Sequence, residues 1–465
     1  MDHVKNIEDL IEQKSDLFVS MSEKIWEFAE TSFQEKQSAK YIAENLVKQG
    51  FTVEEEVAGI KTAFVASFGS GKPVVAFLGE YDALAGLSQE KGVSEYQPVE
   101  KGGNGHGCGH NLLGTGSFAS AVAVKDYMEE HGLSGTVRYY GCPAEESGDA
   151  KAYMVKAGLF VDVDFAICWH PAPVNSVLRM DVLATQQVYF RFKGRSAHAA
   201  ASPYLGRSAL DAVELMNIGV NYLREHIVPE ARVHYAVTNT GGHSPNVVQS
   251  DAEVLYLIRG RTVPQAKEMY ERVCKIAEGA ALMTETELEI VFDSGSSDLV
   301  HNHVLDDVVQ SSMTRMAPPT YTDQEREFAK AIRETLSEAE RDSYWAKGLK
   351  GHSLTDFVVD REEIDEMTGS TDVADVSWVT PTTQCLTTCF ANGTSLHSWQ
   401  AVSQVGMSIG QKGMLYAGKV MAATAIEVMQ NEELLAQAKR ELEERTAEIG
   451  YISPIPEGAK PGLEK

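Results

Sequence analysis

"GHGCGHNLLGTGSFASAVAVKDYMEEHGLSGTVRYYGCPAEES", residues 105–147, opens with His106, Cys108 and His110 at every second position between glycines and ends on the adjacent acids Glu145 and Glu146. Between them the pattern predicts a helix from Asn111 to Gly132 and a strand over "GTVRYYGC" (135–142). Working outward, "PVVAFLGEYDAL" (73–84) reads as a strand, "AKAYMVKAG" (150–158) as a helix and "DFAICWH" (164–170) as a further strand. Strands rich in β-branched and aromatic residues that alternate with helices predict an α/β domain whose central sheet is mostly parallel and flanked by helices. Ligands in such sheets collect beyond the carboxyl ends of the strands. Those ends carry Glu80 and Asp82, Glu145 and Glu146, and His170.

The rest of the chain adds a second pattern. Residues 7–30 and 35–50 read as two amphipathic helices, the latter closed by Gly50. "GSGK" (69–72) resembles a phosphate loop only superficially, because Pro73 and a strand follow it where a phosphate loop requires a helix. A hairpin turn is expected there. Residues 186–299 run strand, helix, strand, strand, helix, strand, which predicts a smaller α+β sandwich inserted into a catalytic domain made of 1–185 and 300–465. The acidic stretch 315–370 reads as part helix ("QEREFAKAIRETLSEAERDSYWAKG", 324–348) and part loop. "STDVADVSW" (370–378) and "QCLTTCFANGTSLHSWQ" (384–400) resemble strands and loops, and the tail from Ile452, with three prolines, an extended strap.

A chain of 465 residues exceeds what one hydrophobic core usually serves, which agrees with two domains. The formal charge of −26 argues against nucleic acid or an anionic membrane as partner, since both demand basic surface. Apolar runs long enough to span a bilayer are missing, and the acidic, mixed start differs from a signal peptide, so a cytoplasmic location is expected. The six cysteines lack the density of a disulfide framework and are expected as free thiols.

A soft thiolate beside an imidazole suits zinc or another late first-row divalent ion, which marks Cys108 and His110. Glu146 and His170 at strand ends could complete the site, with His397 in "GTSLHSW" contributed from the far part of the chain. Five such donors exceed the needs of one tetrahedral ion and suit two, about 3.5–4 Å apart, with Cys108 bridging. Side chains alternate along extended backbone, so one of the adjacent acids can face metal while Glu145 faces a water whose proton it takes. The competing chemistry is a Cys108 nucleophile with His110 or His106 as base; it leaves Glu145, Glu146, His170 and His397 without roles.

"GEYDAL", "GHGCGHN", "CPAEES", "WHP", "GRSAHAA", "GRSALDA", "SPNVVQ" and "GTSLHSWQ" resemble, in order and spacing, the amidohydrolase branch of the co-catalytic zinc peptidases, which includes carboxypeptidase G, aminoacylases and auxin-conjugate hydrolases. The resemblance implies two divalent ions, Zn or Mn, on Cys108, His110, Glu146, His170 and His397, with Glu145 as general base. It implies that 186–299 is a lid and dimerisation domain, whose His198 steadies the oxyanion in the active site of a partner subunit, either a second copy or a homologous subunit. Asn246 and Arg259, thirteen residues apart, stand at the spacing of the family's substrate-holding pair. The implied reaction is hydrolysis of the amide in a small acyl-amino acid, the acyl group aromatic and the amino acid acidic. Alternatives are a related aminoacylase, dipeptidase or indole-acyl-aspartate hydrolase, or a partner subunit without catalysis, against which the intact Glu145 argues. Asn111 departs from the Asp found in many relatives, a change expected to bear on ligand orientation.

Overall fold

In a computed structural model, residues 3–343, 349, 351–360, 365–366 and 369–462 are described. The chain divides into two units. The first comprises Met1–Met180, Val300–Asp365 and Val376–Tyr451; the second comprises Asp181–Leu299, Glu366–Asp375 and Ile452–Lys465.

The first unit is built on a seven-stranded sheet in the order Thr52–Glu55, Phe64–Ser70, Gly135–Cys142, Val74–Glu80, Phe165–Ala172, Thr382–Thr388, Ser176–Val177. Its four central strands, from Gly135–Cys142 to Thr382–Thr388, are mutually parallel, and the outer pairings are antiparallel. The expected mostly parallel sheet flanked by helices is therefore present. Every residue of Val74–Glu80 is buried, as a strand covered on both faces requires. The His110–His131 helix packs on this strand and against the Ser408–Met429 helix. Its start is set by Gly109, at φ +80, where a Cβ would come within 2.9 Å of the Pro171 ring. Only glycine meets both demands.

Four local expectations are corrected. "GSGK" is not a hairpin: Gly135–Cys142 lies between the two strands it joins, held at the turn by Thr136, whose Oγ1 donates to the Gly71 carbonyl at 2.8 Å. The stretch 7–30 is broken into His3–Gln13 and Ser15–Phe28, because Lys14 leaves helical geometry (φ −113, ψ 12) with its ammonium bound to Asp126 and to Gln49. "STDVADVSW" contains a short helix, Val373–Ser377, rather than a strand. In the acidic stretch a capping box of Thr322 and Glu325 starts the Asp323–Glu334 helix. The single helix expected over 324–348 is broken after Glu334: a second capping box, of Ser337 and Glu340, starts a separate short helix, Glu338–Arg341, and the last part of the expected span, 344–348, lies outside the described residues.

The second unit carries a four-stranded antiparallel sheet in the order Glu287–Ser294, Ala184–Lys193, Asp251–Gly260, Arg232–Asn239. Alternate residues Val188, Phe190 and Phe192, with Val254, Tyr256 and Ile258, bury one face against helices Ala209–Leu223 and Val263–Thr284. Ser208 and Thr262 cap those helices through their hydroxyls. The proline-bearing tail lies along this unit: Ile455 is buried, and Gln186 and Lys267 donate to the Pro454 and Ser453 carbonyls. No disulfide joins the described cysteines, and no described helix is long and apolar enough to cross a membrane.

Candidate metal centre

Parallel strands end together, and this brings Glu80, the loop after Cys142 and His170 to one rim of the first unit. The His110–His131 helix begins over the same rim, so Cys108 and His110 reach it from the other side. The loop bearing His397 is tied in by its backbone N–H, which donates to the Gly107 carbonyl at 2.9 Å. Cys108, His110 and His170 bring one donor atom each within 4.8 Å of one another, and so do Cys108, Glu146 and His397. The two groups share Cys108. A third group joins Glu80, His110 and Glu145 on the same criterion.

Hydrogen bonds fix which atom each ring presents. His110 Nδ1 lies 2.8 Å from Asp82 Oδ1, which leaves Nε2 facing the centre. His170 Nδ1 lies 2.8 Å from the Pro171 carbonyl, which leaves its Nε2 3.3 Å from the Cys108 sulfur. Holding one imidazole nitrogen sets the tautomer that offers the other as a ligand. Asp82 serves twice, since its Oδ2 accepts the backbone N–H of Glu146 at 2.9 Å. Glu146 Oε2 in turn lies 3.1 Å from His397 Nε2.

The donor set fits a cation. Glu80 Oε2, His110 Nε2 and Glu146 Oε1 are buried without hydrogen-bond partners, a costly arrangement for three groups in one place. Burial, then the charge of Glu146, holds the Cys108 thiol well above its ordinary pKa. A coordinated thiol is deprotonated by the ion itself, so the raised value is compatible with a ligand role for Cys108. Burial pulls His110 down, but the Asp82 carboxylate and Cys108 together hold it well above the usual imidazole value. Burial and the neighbouring His110 push His170 down. For Glu146, burial is outweighed by the His397 hydrogen bond and nearby imidazoles, which keep the carboxyl below its ordinary range. His106 stands apart: its Nε2 binds the Ile25 carbonyl at 3.0 Å, and burial lowers it to about 4.

Sequence reasoning misses two contributors, Lys151 and Glu35, and places a third, Asp82, only as an acid at a strand end. Asp82 orients two of the candidate ligands, and Lys151 forms a fully buried ion pair with Glu80 at 2.7 Å. Glu35, fully buried, accepts the Ala144 backbone N–H at 2.9 Å and so holds a residue at φ +58 directly before Glu145. The "GEYD" strand end pointed toward Asp82; nothing local in "AKAYMVKAG" or "SFQEKQ" sets Lys151 or Glu35 apart. Asn111 turns away from the centre, donating to the Ser22 and Val405 carbonyls at 3.3 and 3.2 Å. An amide suits two carbonyl oxygens where a carboxylate would repel them; its expected role in orienting a ligand falls to Asp82.

His198, Asn246 and Arg259 are in the second unit. His198 and Asn246 are neighbours on two exposed loops, joined by the Ala199 N–H donating to the Asn246 carbonyl at 2.9 Å. Arg259 lies on the Asp251–Gly260 strand, its guanidinium donating to Ser370 Oγ at 3.1 Å.

The profile of peptidase family M20/M25/M40 matches residues 76–357, more than half of the chain. The chain belongs to this family. As an M20 protein it is a hydrolase of amide bonds. It is 47% identical to the B subunit of the p-aminobenzoyl-glutamate hydrolase of Escherichia coli (strain K12), over 98% of each chain. Xaa-Arg dipeptidase of Mus musculus is 26% identical, over 93% of this chain and 90% of its own. Among solved structures, the aminobenzoyl-glutamate utilization protein of Klebsiella pneumoniae shares the fold, with a TM-score of 0.62 at 18% identity over 91% of this chain and 99% of its own. A dinuclear metal-binding M20 peptidase of Bacillus subtilis does so with a TM-score of 0.54 at 17% identity, over 90% of this chain and 99% of its own.

Proposed function

We propose that this M20 hydrolase cleaves acyl-amino acid amides, with p-aminobenzoyl-glutamate as substrate and p-aminobenzoate and glutamate as products. The chemistry rests on one observation: two three-donor groups that share Cys108, with the Glu145 carboxylate 3.9 Å from His110 Nε2 beside them. The substrate rests on the likeness to the E. coli protein across nearly the whole chain.

Cys108, His110 and His170 would hold one ion and Cys108, Glu146 and His397 a second, either zinc, which the thiolate favours, or manganese, which the carboxylate tolerates. When bound, such a pair supplies Lewis acidity that polarises the scissile carbonyl and acidifies water. Glu145 takes the proton from the attacking water on its carboxylate oxygen and returns it to the leaving amide nitrogen. Residues 186–299 act as a lid and dimerisation domain. His198 of the partner subunit donates to the developing oxyanion, and Arg259, with Asn246, grips the substrate carboxylate. The partner is a second copy or a homologous chain; the E. coli hydrolase has an A subunit, 31% identical to this chain over 48% of it.

Incubating the purified, metal-loaded protein with p-aminobenzoyl-glutamate and measuring free glutamate tests the reading. Release of glutamate at a rate proportional to protein is expected. Bound metal without any glutamate release overturns the substrate and leaves the chemistry.

A further inference from the structure

Glu80 ends the Val74–Glu80 strand with its carboxylate 2% exposed, and its two oxygens face different neighbours. Oε1 is 2.7 Å from the ammonium of Lys151, itself 0% exposed at the start of the Ala150–Lys156 helix. Oε2 is 3.3 Å from His110 Nε2, and neither of these two atoms has a hydrogen-bond partner. His110 cannot satisfy Oε2 by turning, because its Nδ1 is engaged with Asp82 at 2.8 Å. A buried lone pair and a buried imidazole nitrogen thus face one small volume together with Glu145.

We propose that Glu80 is itself a ligand of the metal centre, donating through Oε2 to the ion held by His110, while Lys151 fixes Oε1 and so aims the carboxylate. The proposal rests on the metal-centre reading above and adds a donor that the five-residue set lacks. It also has a chemical consequence. A carboxylate oxygen beside two imidazoles and a thiolate hardens the His110 position and raises its preference for manganese relative to zinc. A purely structural ion pair between Glu80 and Lys151 would anchor the helix and leave metal preference alone.

The test uses the full chain in four forms: wild type, Glu80→Gln, Glu80→Asp and the double variant Glu80→Gln/Lys151→Met, which removes both buried charges together. Metal content is read by elemental analysis, Mn(II) and Zn(II) affinities by competition with a chromophoric chelator, and coordination number from the visible absorption of the Co(II)-substituted protein. The expected result is a tenfold or greater loss of Mn(II) affinity at one of two sites, a smaller loss for Zn(II), and a more intense Co(II) band that marks a lower coordination number. If the double variant does not fold, Glu80→Asp decides, since it keeps the charge while retracting the oxygen by one methylene. Unchanged Mn(II) affinity and Co(II) spectrum in a folded variant overturn the proposal. Wild-type protein that binds no metal instead overturns the underlying metal-centre reading, so the two failures are distinct.

Discussion

Replacing Asp82 with Asn should dismantle the centre without touching a proposed ligand. The carboxylate faces His110 Nδ1 with Oδ1 at 2.8 Å, and its Oδ2 accepts the Glu146 N–H at 2.9 Å and, at a longer 3.5 Å, the Ser32 hydroxyl. Asparagine offers one acceptor oxygen and, at the other position, an NH2 that can only donate. If the amide oxygen keeps Glu146, the NH2 faces His110 Nδ1, which must then accept; the proton moves to Nε2 and that nitrogen no longer ligates. If the oxygen keeps His110, the NH2 confronts the Glu146 N–H and the glutamate loses its tether. Either way one charge-assisted hydrogen bond, worth about 1.5–3 kcal/mol, is lost. Loss of a group that orients a ligand typically costs about 10- to 100-fold in metal affinity, or about 1.4–2.7 kcal/mol. Chelator competition at fixed pH reads this directly, alongside circular dichroism to show that the variant is folded. An Asp82→Asn protein that binds metal within about twofold of wild type, well under the 1.4 kcal/mol of a tenfold change, would refute the orientation argument.

Three further outcomes are expected. Gly114→Ala places a Cβ 2.5 Å from the Glu80 carbonyl oxygen, so the His110–His131 helix must lift from its strand; overpacking of about 1–3 kcal/mol against a helix-propensity gain of about 1 predicts a lowered thermal midpoint together with weaker metal binding. Glu35 is pushed up to about 8 by burial and by the charge of Asp82, so the folded metal-free chain holds a proton that the unfolded chain releases near pH 4.5. Its contribution is complete below pH 4.5 and is lost as pH rises through 8, so wild type should lose stability across that window relative to Glu35→Gln, and denaturation midpoints that run parallel would contradict this. Because His198 is proposed to act in trans, mixing inactive His198→Ala and Glu145→Gln proteins under conditions of subunit exchange should restore activity in the hybrid, and no recovery after demonstrated exchange would remove His198 from that role.

How much of this was legible in the sequence follows from the range of the interactions. The strand and helix pattern around 73–170 is local, so the sheet and its helices could be read directly, and the sharp break in pattern near residue 186 marked where a second sheet begins. The order of strands is not local: nothing in "GSGK" says that Gly135–Cys142 will lie between the strands it joins. At the site, Cys108, His110, Glu146, His170 and His397 stood out because strand ends in a parallel sheet converge and because soft and imidazole donors are uncommon there. Lys151 and Glu35 did not, and Glu80 was visible only as an acid at a strand end, since their significance comes from burial beside partners that are distant in the chain: Glu35 meets Ala144 across 109 positions. The Asn111 departure was visible but pointed the wrong way, because only the packing shows two carbonyls where a ligand was expected.

The central claim is that Glu145 moves a proton beside a pair of metal ions that it does not hold. Glu145→Gln, purified and metal-loaded in parallel with wild type, tests it most directly through two readings on the same sample, metal per chain and glutamate released from p-aminobenzoyl-glutamate. The account predicts close to two ions per chain in both proteins and a fall in turnover of about 10²- to 10⁴-fold in the variant, the usual contribution of a general base. Turnover that survives the substitution, or a variant that loses its metal along with its activity, would contradict it.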